Sequence, residues 1–152
     1  MPVNTSSGSK IYIGQDNVVH PNAQTDSDYV LIGFVANMGE FGRVFGLITF
    51  DDLPTRATLK FKGQINDGKL SLDIGRAPED VGQAACRTAL ASDHDYNFKV
   101  TLNDAITTTP TTFYFPAKVM TYTTNVGGPT QVVRARMDVE IKSNTIVEVP
   151  AS

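Results

Sequence analysis

The chain has no tryptophan and a single cysteine, Cys86, among its 152 residues, and only 19% of those residues are charged. A lone thiol cannot close an internal disulfide, and Cys86 lies beside Ala84, Ala85 and Ala89 in a segment of helical periodicity, where a small buried thiol is expected. Without tryptophan, the exposed aromatic platforms of a small ligand-binding module are scarce. A formal net charge of −3 does not supply the clustered lysine and arginine of a phosphate-clamping protein. No apolar run approaches the roughly 18 residues of a membrane span, and Met1 to Lys10 is polar, so synthesis in the cytoplasm without membrane contact is expected.

Catalytic signatures are also missing. There is no Gly-x-Ser-x-Gly elbow and no Gly-x-Gly-x-x-Gly loop. Asp51-Asp52 and Glu79-Asp80 are adjacent pairs, which point to opposite faces of a strand or serve the positive end of a helix rather than poise an acid and a base on one substrate. Asp93-His94-Asp95 is a tight group of metal-ligand types, but His20 lies far off in a polar loop, and a solvated turn is the expected reading. No catalytic residue, metal or cofactor is expected, which leaves binding or assembly as the task.

What the chain does have is alternation. Ile11 and Ile13 share a face of a first strand over Lys10 to Gly14, and Tyr29 to Val35 is nearly continuous apolar, as in a strand covered on both faces. In Arg43 to Phe50 both alternating sets, Val44/Gly46/Ile48/Phe50 and Phe45/Leu47/Thr49, are largely apolar. A half-buried strand has one polar face, so a second covering surface is implied. Asp51 to Lys62, with Pro54 and Arg56, reads as a long exposed loop. After the turn at Gly63 to Gly68, Leu70, Leu72 and Ile74 alternate with Lys69, Ser71 and Asp73. A helix over 78–90 opens on Pro78, Glu79 and Asp80 and carries a narrow stripe of small residues. Strands follow over Tyr96 to Leu102 and over Phe113 to Tyr122, where Pro116 marks an edge, a bulge or a change of sheet. Val133 to Ile141 then alternates without error against Arg134, Arg136, Asp138, Glu140 and Lys142. The expected architecture is a single mainly β domain over 1–152, a β-sandwich or partly closed barrel of about seven strands with one flanking helix.

This order of elements resembles the tail tube proteins (major tail proteins) of long-tailed bacteriophages, a family related in fold to the type VI secretion tube. The matching features are the Lys10 to Gly14 strand, the Gly39 to Phe50 hairpin arm followed by Asp51-Asp52, and Gly63-x-x-x-Asp67-Gly68-x-Leu70-x-Leu72. The helix, the later strands, Gly127-Gly128 and the closing strand to Ile141 complete the match. The resemblance implies a structural subunit of the virion tail, assembled in the host cytoplasm. Its hexameric rings, with inner strands joining neighbours, would stack into a hollow conduit contacting other tail proteins and passing double-stranded DNA without specific binding. On that reading 10–50 holds the first strands and arm, 51–62 an inter-ring loop, 63–75 a turn and strand, 78–90 the helix and 96–149 the closing strands. Val44, Phe45, Leu47, Ile48, Phe50, Asp51, Asp52, Leu53, Arg56 and Phe61 become the subunit-interface candidates, and Asp73, Asp138 and Glu140 the lumen candidates. Arg134, Arg136 and Lys142 depart from a uniformly acidic wall. A tail terminator or other ring-forming tail component is the near alternative, and a small β-sandwich ligand-binding module the alternative of another class.

Overall fold

Alternating apolar side chains build most of the molecule. The computed structural model describes residues 3–152 and is mainly β, with ten strands and one α-helix. The strands are β1 (Lys10–Asp16), β2 (Val30–Leu31), β3 (Val35–Asn37), β4 (Val44–Asp52), β5 (Ala57–Asn66), β6 (Lys69–Gly75), β7 (Tyr96–Thr101), β8 (Thr112–Asn125), β9 (Arg134–Ile141) and β10 (Val147–Val149); helix α1 is Val81–Leu90. An antiparallel sheet runs β2-β1-β7-β8-β9-β6-β3, with β10 also beside β8, while β4 and β5 pair only with each other.

Each long strand of the sheet turns one alternate set inward. Ile11 and Ile13, Leu70, Leu72 and Ile74, Phe98 and Val100, Phe115 and Ala117, and Met137 and Val139 are all buried. Phe98 and Phe115 stack across the β7–β8 pair with ring centroids 5.9 Å apart. Cys86 and Ala89 of α1 join the same core. Burial pushes the Cys86 thiol up to about 12, so it stays protonated as a small apolar filler.

The two edges of the sheet, β2 and β3, are linked by Ile32-Gly33-Phe34. Such a link spans at most about 14 Å, so the edges are held close and the sheet must curl into a half-barrel. Phe34, at φ 60, takes the left-handed conformation at this corner. Helix α1 closes the gap. Gln83, fully buried, donates Nε2 to the carbonyl oxygens of Gly33 at 3.0 Å and Gly75 at 2.9 Å, and its Oε1 accepts the Ala77 N–H at 2.9 Å. Asp80 caps the helix by accepting the Gln83 N–H at 2.9 Å and also accepts the Gly33 N–H at 3.1 Å. Gly82 makes the approach feasible, since a Cβ there would lie 2.1 Å from the Leu31 carbonyl oxygen.

Several expectations from the sequence are corrected here. Tyr29 to Val35 is not one strand, because Gly33 and the left-handed Phe34 break it where the chain crosses between sheet edges. The helix starts at Val81, because Asp80 rather than Pro78 supplies the capping oxygen; Pro78 lies in the preceding turn. The loop expected over 51–62 is strand on either side of a short turn at 53–56: β4 continues through Asp52, and β5 returns from Ala57 in register with it. Gly63 belongs to β5, and the turn proper is Asp67-Gly68. Pro116 stands where one side of β8 changes partner, from β10 at Thr112 to Tyr114 to β9 from Ala117 onward.

Candidate assembly surface

Strands β4 and β5 form a two-stranded arm that leaves the body at Arg43 and returns at Asp67. The register places Ile48 opposite Phe61 and Phe50 opposite Leu59, and Leu47, Thr49 and Asp51 opposite Lys62, Lys60 and Thr58. Because side chains alternate, the first group covers one face and the second the other. The arm is therefore amphipathic once β5 is in place: one face is continuously apolar, and the other mixes Leu47 and Phe45 with two lysines. The Lys62 ammonium sits 4.8 Å from the Phe45 ring centroid.

The apolar face is uncovered within the chain. Ile48 is 54% exposed, Phe50 60%, Leu59 43% and Phe61 53%. Val44, Phe45 and Leu47 are exposed as well, and Asp51, Asp52, Leu53 and Arg56 gather at the tip. The structure thus brings all ten interface candidates onto one appendage. Leu59 also belongs to that face and was hidden in the segment read as a loop. At the tip the Thr58 hydroxyl donates to Asp51 at 2.9 Å, and that of Thr55 donates to Asp52.

The foot of the arm is anchored by Asp67, whose side chain is fully buried. Its Oδ2 accepts the Asn144 N–H at 2.7 Å, while Oδ1 makes no hydrogen bond and lies 3.5 Å from the Arg43 Nε. One carboxylate thereby ties the start of the arm, its end and the β9–β10 connection.

The lumen candidates Asp73, Asp138 and Glu140 lie together on the outward face of β6 and β9, but that face is not acidic. Asp73 is registered with Arg136, Asp138 with Ser71, and Glu140 with both Lys69 and Lys118. The Ser71 hydroxyl, against the opposing effect of burial and aided by Lys69 and Arg136, holds Asp138 below the ordinary carboxylate value. This face is a patchwork in which each of the three acids has a base or hydroxyl across the ladder.

The remaining polar clusters are structural cross-links. Asp93-His94-Asp95 does not converge: His94 Nδ1 meets Asp16 at 2.6 Å, and Asp95 accepts from the Lys118 ammonium at 2.7 Å. The sequence does not reveal that His20, Asp26 and Asp28 come within 4.8 Å of one another, although each was visible in the polar loop. The buried Asp26 carboxylate already accepts from the Gln15 N–H at 2.7 Å, the Asp28 N–H at 2.9 Å and Asn97 Nδ2 at 3.1 Å. Burial works to raise its pKa, but those donors outweigh it and leave it lowered.

No protein-family model matches the sequence, and no curated protein matches it. Solved structures do match. A chain of the anti-feeding prophage baseplate, six-fold symmetrised, superposes with TM-score 0.75 at 14% identity, covering 100% of this chain and 99% of that one. A chain from the sheath/tube terminator of the PVC extracellular contractile injection system gives 0.70 at 14% identity, covering 98% and 97%. The SPP1 tail tube protein gives 0.67 at 12% identity, covering 98% of this chain and 80% of the other. At these identities the likeness is one of fold, and this chain has the fold of those tail and injection-system components.

Proposed function

We propose that this chain is a non-enzymatic structural subunit of a bacteriophage-type tail tube, its copies joining side by side into hexameric rings that stack into a hollow conduit for DNA. The observation that carries the reading is the arm: two paired strands whose apolar face is left bare by their own chain. A continuous ribbon of Ile48, Phe50, Leu59 and Phe61 costs solubility unless another surface covers it, and an identical neighbour is the partner present at highest local concentration. The fold shared with tube and baseplate components supports the same reading.

The outward face of β6 and β9 is our assignment for the wall of the bore. Its acids stand opposite Arg136, Ser71, Lys69 and Lys118, so acidic and basic side chains are interspersed and the face offers neither a continuous basic track that would grip phosphates nor a strongly acidic field. A passing duplex would meet little net attraction and could slide. A terminator ring is the second reading, favoured by the match to a sheath/tube terminator chain. Electron microscopy of the concentrated, purified protein decides between them: stacked rings of open-ended length support the tube, single rings support the terminator, and solitary particles at every concentration refute both.

A further inference from the structure

Beside the foot of the arm the body carries an open groove of about 640 Å³. Phe41, Leu102, Phe113 and Ile146 form its apolar floor, with Phe41 edge-on to Phe113 at 5.1 Å between centroids, and Glu40 and Glu148 stand at its rim. Among the described residues neither glutamate has a cationic partner, and the nearby Arg43 is already held by Asp67. At the far end of the arm the pattern is inverted. Among the described residues Leu53, 90% exposed, is the most exposed of the large apolar side chains, and Arg56, in a left-handed conformation at φ 58, has no carboxylate partner.

Resting on the tube reading, we infer that this groove is the socket for the arm tip of a second copy, with Leu53 seated on the aromatic floor and Arg56 between Glu40 and Glu148. Shape and charge both match: an apolar knob followed by a free cation meets an apolar floor flanked by free carboxylates. Position matches as well. Tip and foot lie at opposite ends of a nine-residue strand, roughly 30 Å apart, so tip-into-foot is a contact between unlike surfaces. Such a heterologous contact closes into a ring where its rotation permits and otherwise propagates in one direction; with the bare face of the arm assigned to the ring, the tip takes the propagating role. Repeated by every copy of a ring, it joins each ring to the next with fixed polarity and a rise set by the length of the arm.

The test is a charge swap read by negative-stain microscopy and sedimentation of the full chain. Arg56→Glu alone, and Glu40→Arg with Glu148→Arg, should each leave thermal melting unchanged and rings intact while tubes shorten or vanish. A loss of about threefold per exposed contact compounds over all the copies of a ring. Combining Arg56→Glu with Glu40→Arg and Glu148→Arg should restore tubes, and Leu53→Ser should shorten them in any background. Rings that stack equally well whatever these charges, or a combined variant that is no better than its parents, overturn the socket and leave the tube reading standing. Wild-type protein that never forms rings overturns both.

Discussion

Replacing Phe50 by serine separates the energetics of the arm from those of the body. A phenylalanine buries about 200 Å² when fully enclosed. With 60% of Phe50 exposed in the lone chain, about 120 Å² is left for a partner to cover. At about 25 cal/mol per Å² that is about 3 kcal/mol per contact, or roughly a 150-fold change in association. Folding should be nearly indifferent to the change, because substitutions at exposed positions usually stay within about 0.5 kcal/mol. The contrast is Phe98→Ala, at a fully buried position, which should cost about 3–5 kcal/mol and lower Tm by about 10 °C. Thermal melting by circular dichroism and sedimentation velocity across a concentration series read the two effects. Phe50→Ser should melt within 2 °C or so of wild type yet raise the concentration at which rings appear by about two orders of magnitude. The reasoning fails if Phe50→Ser lowers Tm as Phe98→Ala does, or if ring formation is unmoved.

Three further outcomes follow from the body. Gln83→Leu strips the partners from the Gly33 and Gly75 carbonyls and the Ala77 N–H, and should cost about 3 kcal/mol in chemical denaturation; a neutral result would mean the clasp across the sheet edges contributes nothing. Gly82→Ala should destabilise although alanine favours helix by about 1 kcal/mol, because its methyl would meet the Leu31 carbonyl oxygen; a gain in Tm would contradict the packing. The Asp26 carboxylate is depressed below its ordinary value of 3.8, so its contribution is fully present above that pH and is lost as pH falls through the lower folded value. The Tm difference between wild type and Asp26→Asn should therefore shrink as pH is taken below 3.8; a difference that grows there would reverse the sign.

Strands whose one face is the core were legible because alternation records burial directly, as in Leu70-Ser71-Leu72-Asp73-Ile74 and in Ala135 to Ile141. The excess of apolar residues in Val44 to Phe50 was legible for the same reason: it marked a surface the chain does not cover. Strand β5 was obscured because Pro54 and the charges at 51, 52 and 56 suggested an extended loop, although Leu59 and Phe61 alternating with Lys60 and Lys62 carry the strand signal. The helix start was encoded too, in Asp80-x-x-Gln83, but Pro78 offered a competing rule. The charge balance of the β6–β9 face depended on register, which places Asp73 beside Arg136 from a distant strand. The foot groove was invisible to any local pattern, since its walls come from residues near 40, 102, 113 and 146.

The outermost strands of the main sheet are two and three residues long, whereas the arm presents nine and ten residues on its two rims. Brief rims give stray polypeptide little to hydrogen-bond with, so the curled body is a poor seed for amyloid-like growth. The long open strand rims are thereby gathered on one appendage.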